Sequence, residues 1–259
     1  KKNIKKAASF IKYSDFLKEG ALSCRGTMFR INKKTKEVSL AALPMDKFFG
    51  YGENPSTMKI PFEEIKEAYL KVDGSLLSTY LRTENTLGLK SKSEPVFAFD
   101  NLIQQYFENN QKLQLVLLTL AKNNFTVDLE FVSPQNRVIL EYTEINMHIL
   151  NIRNNLTGEY VDFRSDDFLR EYPDILDYLV ETMSLDDFKN LDNKNKLLNL
   201  SDIEGAVIRL NDGRLVKIKT VWYMSQHNYV NIQDFSKAGE KLFMIVMNEA
   251  VDELKSLLH

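Results

Sequence analysis

Cysteine and long apolar runs are nearly missing from this sequence. Its one cysteine, Cys24, cannot form an intramolecular disulfide bond, so we expect a reducing compartment. The most apolar windows, near Leu113–Ala121 and Leu242–Met247, are far shorter than the roughly 20 residues that a membrane-spanning helix needs. No segment has the pattern of a signal peptide. We therefore expect a cytoplasmic protein without a membrane partner.

An excess of charge of either sign is also missing. The 259 residues include 34 lysines and arginines against 36 aspartates and glutamates, which gives a net charge of -2. No overall positive field attracts nucleic acid, so any such binding needs a local basic patch. The composition, 44% hydrophobic and 27% charged, is typical of one large domain or a domain and a half with a substantial core. Because the chain begins with Lys1 instead of methionine, we expect it to be part of a longer protein.

Hydrophobic periodicity predicts both helices and strands. Helical spacing runs through 99–122, with a break near Glu108–Gln111, and returns from residue 236. In the clearest strand, 125–132, apolar side chains alternate with Asp128 and Glu130, which share the opposite face. Further helix-like sequence is predicted at 1–20 and 165–198, a short turn or helix at 61–65, and strands at 22–50, 76–81, 138–140 and 147–152.

Lys71 stands just before an Asp73-Gly74 pair that lies between two apolar runs. Such a pair is a hairpin signal, because glycine takes the positive φ that the turn needs. Stiff backbone and partial removal from water would favour the neutral, nucleophilic form of the lysine amine. Any surface hairpin can carry a lysine, so the motif alone leaves an ordinary surface residue open.

A two-residue turn at Asp212-Gly213 predicts a second hairpin. It places Ala206 opposite Lys219, so that Glu204, Lys217 and Lys219 share one face of the sheet. This face is a candidate anion site, with a surface ion-pair cluster as the alternative. A register slip of one residue would scatter the cluster. The predicted core face holds Val207, Val216 and Ile218.

Four further cations have a candidate role. Arg25 stands beside Gly26, and arginine makes forked contacts to phosphate where glycine permits close approach. Lys47 precedes two phenylalanines, and Lys90 and Lys92 alternate onto one side of a predicted extended segment. The alternatives are a surface arginine, ordinary packing around a solvated amine, and a solvated lysine face.

Taken in order, these residues resemble the motifs of covalent nucleotidyltransferases, which include polynucleotide ligases and mRNA capping enzymes. Lys71–Gly74 is similar to the nucleotidyl-lysine motif of that family and Glu130 to its third motif. Glu204–Val207 is similar to the fourth motif and Val216–Lys219 to the fifth.

Longer stretches resemble the phage ATP-dependent RNA ligases that mend broken tRNA, from about Tyr13 to about Leu257. This resemblance implies an α+β nucleotidyltransferase fold, in which antiparallel sheets flanked by helices surround a nucleotide groove. The stretches that carry it are Cys24–Phe29, Pro44–Phe49, Asp73–Tyr80, Lys90–Lys92, Asn151–Arg153 and Thr157–Tyr160.

The resemblance implies a reaction in three steps, with ATP and Mg²⁺ as cofactors. Lys71 attacks the α-phosphate of ATP and forms lysyl-AMP, AMP passes to an RNA 5′-phosphate, and the RNA 3′-OH then displaces AMP. Lys217 and Lys219 would favour the neutral amine of Lys71 and balance phosphate charge, with Glu204 near the metal and the nucleophile. On this account, adenylylation falls at low pH.

The resemblance also assigns contacts with the nucleotide and with RNA. Lys90 and Lys92 would contact phosphates or RNA, and Glu204 is the candidate metal ligand. The nucleotide-binding residues it implies are Arg25, Lys47, Phe49, Leu70, Gly74, Glu130, Lys217 and Lys219.

The implied organisation is an adenylyltransferase domain at 1–235 and the start of a C-terminal helical domain at 236–259. The implied partner is RNA, in particular tRNA broken in the anticodon loop, and the implied state is a monomer in the cytoplasm, of an infected host cell if a phage encodes it. A DNA ligase or capping guanylyltransferase is one alternative, although those usually carry an oligonucleotide-binding barrel after the fifth motif. A non-catalytic RNA-binding module, which would bind RNA without adenylylation, is the other.

Overall fold

The computed structural model describes residues 13–96, 100–188 and 200–226. The chain divides into two compact units. The first combines described parts of Lys1–Ala21, Phe48–Lys71 and Glu181–His259, and the second combines Leu22–Lys47 with described parts of Val72–Val180. Each unit draws on segments that are distant in sequence. Over the three described ranges, no helix has the length and apolar character needed to cross a membrane.

The described ranges contain both helices and strands, as the periodicity predicts. The helices are α1 (Tyr13–Phe16), α2 (Asp100–Asn109), α3 (Gln111–Lys122) and α4 (Asp166–Glu171). The strands are β1 (Met28–Ile31), β2 (Val38–Ala42), β3 (Phe49–Gly50), β4 (Ile65–Lys71), β5 (Ser75–Thr83), β6 (Thr86–Lys90), β7 (Phe125–Val132), β8 (Asn146–Asn154), β9 (Gly205–Leu210) and β10 (Leu215–Lys219).

The first unit is built on a four-stranded sheet in the order β3-β10-β9-β4. All its pairs are antiparallel except β10 with β3, which is parallel. One face of this sheet is apolar, because alternate residues of each strand point to the same side. The core on that side holds Ile60, Ile65, Ala68, Phe188, Ala206, Ile208, Leu210, Val216 and Ile218.

The second unit contains an antiparallel sheet in the order β6-β5-β7-β8, covered by α2 and α3. Helical spacing gives α3 one buried stripe, and the odd-numbered residues of β7 face it. The break between the helices falls at Asn110, whose side chain donates to the Tyr106 carbonyl at 2.9 Å. The shared core holds Leu113, Leu117, Leu120, Val127, Leu129 and Phe131. A separate hairpin, β1 with β2, belongs to the same unit.

The expected α+β architecture with antiparallel sheets is therefore confirmed, but the predicted hairpin around Lys71 is wrong. Strand β4, which ends at Lys71, and β5, which begins at Ser75, belong to different sheets. Gly74 does not take a positive φ. The Asp73 carboxylate instead accepts hydrogen bonds from the N–H groups of Ile139 and Leu140, at 2.8 and 2.7 Å. Those N–H groups are thus occupied, and the strand predicted at 138–140 is absent.

The second predicted hairpin exists, but its loop has three residues instead of two. The Leu210 N–H donates to the Arg214 carbonyl at 2.8 Å, and the Gly213 N–H donates to the Leu210 carbonyl at 2.9 Å. Gly213 has a φ of 86°, as expected for the left-handed residue of such a loop. The extra residue shifts the register by one, so Lys219 pairs with Gly205 and Lys217 with Val207. Val207 therefore shares the lysine face instead of the core face.

Other boundaries differ from the expected ones. Within 22–50, β1 begins only at Met28, Leu22–Cys24 is a short 3-10 helix, and the segment between β2 and β3 forms no strand. Within 165–198, α4 is followed by 3-10 helices at Pro173–Tyr178 and Leu185–Phe188. The predicted helix from residue 236, the rest of 165–198 and the start of 1–20 lie outside the described residues.

Candidate active site

Lys71 and Lys219 lie on the same side of the first unit's sheet. Strand β9 is between them, and Gly205 pairs with Lys71 on one edge and with Lys219 on the other. Directly paired residues share a face, so the two amines flank a position that has no side chain. Lys217 lies on the same face and pairs with Val207. Strand pairing alone thus brings three of the predicted lysines onto one face of the sheet.

Glu204 joins two of these lysines. Its carboxylate oxygens lie 2.8 Å from the Lys71 Nζ and 3.6 Å from the Lys219 Nζ, and its side chain is 4% exposed. The Lys219 Nζ also lies 5.2 Å from the centroid of the Tyr223 ring. The register slip does not scatter this cluster: Glu204 lies just before β9, next to Gly205 with its φ of 150°, and its carboxylate still reaches both amines.

This carboxylate changes the electrostatic account given by the sequence. Sequence reasoning emphasised the cations near Lys71, which disfavour a charged amine. The structure adds a carboxylate in direct contact with the Lys71 amine, at 2.8 Å. At this distance the Glu204 carboxylate is within hydrogen-bond reach of the amine.

In the second unit, Glu130 is tied to the backbone that follows Lys71 in sequence. The Gly74 N–H donates to the Glu130 Oε1 at 3.1 Å, and a Cβ at Gly74 would lie 2.4 Å from the Phe131 carbonyl oxygen. Burial lowers the pKa of Arg25, while the charges of Asp128 and Glu130 act in the opposite direction. Arg25 and Glu130, which sequence reasoning named independently, are thus electrostatic neighbours.

Asp128 is a buried neighbour of two predicted site residues, since its charge acts on Arg25 and Lys90, and the sequence assigned it no role. It is completely buried, and its carboxylate accepts hydrogen bonds from the Met45 N–H at 2.7 Å and the Ser78 hydroxyl at 2.6 Å. Burial raises the pKa of Asp128 to about 7, against the opposing effects of these two bonds and of the charges on Lys90 and Arg153. Its alternation with Glu130 along β7 was the available signal.

Lys90 and Lys92 do not share one side of a strand, contrary to prediction. Strand β6 ends at Lys90, whose side chain is buried and donates to the Ser91 carbonyl at 2.6 Å. Burial lowers the pKa of Lys90, and the charge of Asp128 opposes this. Lys92 is exposed in the bend that follows. Of these two lysines, only Lys92 is exposed to solvent.

Because the pKa of Asp128 is raised, ionisation of this side chain should lower the free energy of unfolding, and the effect should depend on pH. The folded chain holds this proton up to about pH 7, whereas an unfolded aspartate releases it near its ordinary value of 3.8. The stability that the retained proton contributes is complete below that ordinary value and is lost as the pH rises to about 7. Asp128→Asn keeps the shape without the charge, so its free energy of unfolding should exceed that of wild type at pH 8, by on the order of 3 kcal/mol.

Chemical denaturation of both proteins at several pH values measures this difference. The gap should close as the pH falls from about 7 toward 4. A gap that is the same at pH 5 and pH 8 would contradict the assignment.

Arg153 holds together the two segments that carry Arg25 and Lys47. Its guanidinium donates to the Asp46 carboxylate at 2.6 Å, the Ser23 hydroxyl at 3.2 Å, and the carbonyls of Pro44 and Gly158 at 3.1 and 2.7 Å. Its Cζ lies 4.9 Å from the centroid of the Tyr160 ring. Asn151–Arg153 and Thr157–Tyr160 are among the stretches that resemble the phage ligases, and the sequence alone assigned them no role.

Three further predicted nucleotide contacts have packing partners within their own units. The Phe49 ring centroid lies 5.4 Å from that of Tyr13 and 5.7 Å from that of Phe16. Leu70 and Lys47 are half-buried. Their backbone N–H groups donate to the carbonyls of Glu181 and Leu22, each at 2.9 Å. Their contacts with a nucleotide stay predictions.

The residues do not by themselves form a metal centre. In the part of the chain that the structure describes, no group of three or more histidine, cysteine, aspartate or glutamate side chains could hold a metal ion. Both oxygens of Glu204 already face lysine amines. A divalent ion could still be bound mainly by nucleotide phosphates and water, which is usual for Mg²⁺.

A protein-family model described as RNA ligase matches residues 23–226. The matched range includes Lys71, Glu130, Glu204 and Lys219 and covers most of the sequence. The chain therefore belongs to the RNA ligase family.

The individual proteins that this chain resembles have low sequence identity to it. A curated protein of Thermovibrio ammonificans, named "Putative RNA ligase", is 24% identical over 247 residues, which cover 87% of this chain and 62% of that protein. A mutant of Naegleria gruberi RNA ligase with ATP and Mn gives a TM-score of 0.47 and 14% identity over 62% of this chain and 51% of that one. The same ligase with PPi gives 0.48 and 15% over 64% and 53%.

The chain thus spans 62% of the length of the curated relative and about half of each solved one. Because these identities and TM-scores are low, the family assignment rests only on the family model that matches residues 23–226.

Proposed function

We propose that this chain transfers AMP from ATP to its own Lys71 as the first step of RNA ligation. The observation that carries the proposal is the contact between Lys71, Glu204 and Lys219 on one sheet face, inside the range that matches the RNA ligase family. A lysine nucleophile, a base at 2.8 Å and a second amine fit the requirements of phosphoryl transfer, which depends on positioning and charge.

In the proposed step, the Lys71 ammonium gives a proton to Glu204 or to water. The neutral amine then attacks the α-phosphorus of ATP, so a nitrogen–phosphorus bond forms while the bond to the leaving oxygen breaks. Pyrophosphate carries away the electron pair of the broken bond. Lys217 and Lys219 stabilise the negative charge that builds up on the phosphate oxygens.

The later steps join RNA. AMP would pass from Lys71 to an RNA 5′-phosphate, and the RNA 3′-OH would displace it. The finer proposals are a tRNA substrate with a broken anticodon loop, Mg²⁺ that enters with ATP, a monomeric protein and a cytoplasmic location. These come from the resemblance to tRNA-repairing phage ligases.

Incubation with ATP labelled at the α-phosphate, with Mg²⁺, tests the first step. Label should join the protein covalently, whereas ATP labelled at the γ-phosphate should leave none. Adding pyrophosphate should remove the label by reversing the bond exchange. An unlabelled protein in the presence of Mg²⁺ or Mn²⁺ would reject the proposal.

Two comparisons separate the alternatives. A capping guanylyltransferase would take label from GTP instead of ATP, and a DNA ligase would pass its AMP to nicked DNA instead of RNA. A non-catalytic module would bind RNA without taking label from either nucleotide.

Glu204→Gln should lower the rate of adenylylation by about 100-fold, the usual effect of removing one preorganised electrostatic group from a reacting site. The amide keeps the shape but neither accepts a proton nor balances the two lysines. Single-turnover labelling measures the rate. Asp202→Asn, a change of an exposed carboxylate nearby in sequence, is the control and should label at the wild-type rate. Equal rates for Glu204→Gln and wild type would show that the carboxylate has no part in the step.

A further inference from the structure

The hairpin of β1 and β2 presents an apolar surface to solvent. Phe29, Ile31 and Val38 are 60%, 62% and 61% exposed. Ile31 pairs with Val38, and Phe29 pairs with Leu40, so these four side chains share one face. A contiguous aromatic and aliphatic face of this kind is typical of an interaction site.

The other side of the hairpin is attached to the rest of the second unit. Arg30, which alternates with Phe29 and Ile31, donates a hydrogen bond to the Leu81 carbonyl. After β2, the Leu43 N–H donates to the Thr126 hydroxyl at 2.9 Å. Contacts from the opposite side therefore fix the direction in which the apolar face points.

The loop between the two strands is basic and well ordered by its own bonds. Lys33, Lys34 and Lys36 are all exposed. The Asn32 side chain accepts from the N–H groups of Lys34 and Thr35 at 2.9 and 3.3 Å, and the Lys36 N–H donates to the Asn32 carbonyl at 2.8 Å. In a chain with a net charge of -2, these three lysines are a local concentration of positive charge.

We propose that this hairpin binds single-stranded RNA, with an unpaired base stacked on Phe29 and the phosphates beside Lys33, Lys34 and Lys36. This inference rests on the proposed RNA substrate. Aromatic faces stack on any exposed base, and nearby lysines follow the backbone phosphates. A protein partner or a second copy of the chain fits less well, because lysine is depleted at protein–protein interfaces.

The test uses the whole chain and a fluorescent single-stranded RNA with a 5′-phosphate. Phe29→Ala should raise the Kd for this RNA about tenfold, within the range found when a stacking side chain is replaced by alanine. The affinity for a fully paired duplex should not change. Lys33→Gln with Lys34→Gln should reduce the slope of log K against log salt by about 1.4, since each phosphate contact with a single strand contributes about 0.7.

Matched controls use exposed residues elsewhere. Leu115→Ala removes an apolar side chain that is 65% exposed on α3, and Lys59→Gln with Lys112→Gln removes two exposed lysines. Both controls should bind RNA as wild type does.

Labelling by ATP without RNA distinguishes failure of this inference from failure of the proposed function. Hairpin variants should label as fast as wild type while binding RNA more weakly. If the hairpin variants still label but keep the RNA affinity and salt slope of wild type, this inference is overturned and the proposed function is not. The same holds if the wild-type protein labels but does not bind the RNA. A change of sedimentation in Phe29→Ala with unchanged RNA binding would identify a protein interface instead. A wild type that takes no label contradicts the proposed function, whatever the RNA binding shows.

Discussion

Lys71→Ala should take no label from ATP in an assay in which wild type labels to completion. Removing the amine removes the only atom of this side chain that can form the bond to phosphorus. The variant therefore cannot carry out the step at this position, even slowly. The side chain is 20% exposed, and Glu204 keeps Lys219 as a partner at 3.6 Å. The variant should therefore fold, with a melting temperature within a few degrees of the wild-type value.

A second variant makes this result specific. Lys66→Ala removes an exposed lysine from the same strand and should label like wild type. Lys71→Ala should still join an RNA strand that has been adenylylated chemically beforehand, because that reaction no longer needs the first step. Residual labelling of a folded Lys71→Ala protein would assign the nucleophile to another residue.

Gly205→Ala should destabilise the first unit by more than about 3 kcal/mol, which combines backbone strain with a collision in a packed sheet. The φ of Gly205 is 150°, and an added Cβ would lie 1.9 Å from the Ile218 carbonyl oxygen. That oxygen belongs to the neighbouring strand and cannot rotate away. The same change would displace Lys71 and Lys219, which both pair with Gly205.

Gly213→Ala is the matched control. Gly213 also has a positive φ, 86°, but no atom lies within 4 Å of an added Cβ. It should therefore cost only the left-handed backbone conformation, about 1 kcal/mol. Denaturant unfolding of both variants separates the collision from the strain. Equal losses of stability would show that the close approach to Ile218 has no energetic consequence.

Patterns with a short period could be predicted from the sequence. The alternation along β7 placed Glu130 on the polar face correctly, and helical spacing located α2, α3 and the break at Asn110. These signals are local, since a strand or helix repeats its environment every two or about four residues. Asp128 shows the limit of such a signal, because alternation gives its face but not its complete burial.

Register and long-range pairing could not be predicted in the same way. The choice between a two- and a three-residue loop at Asp212-Gly213 shifts every pair of the hairpin, and an Asp-Gly pair is compatible with both. The break between β4 and β5 depends on the partners that each strand finds far away in sequence. The contact between Lys71 and Glu204 was reached only through the order of motifs in a family.

Mass spectrometry of the protein after reaction with ATP tests the central claim most directly. Proteolytic peptides would be searched for the added mass of AMP and fragmented to locate the modified side chain. The account predicts AMP on Lys71 and on no other residue. AMP on Lys217, Lys219 or any lysine outside this face, with Lys71 unmodified, would contradict it.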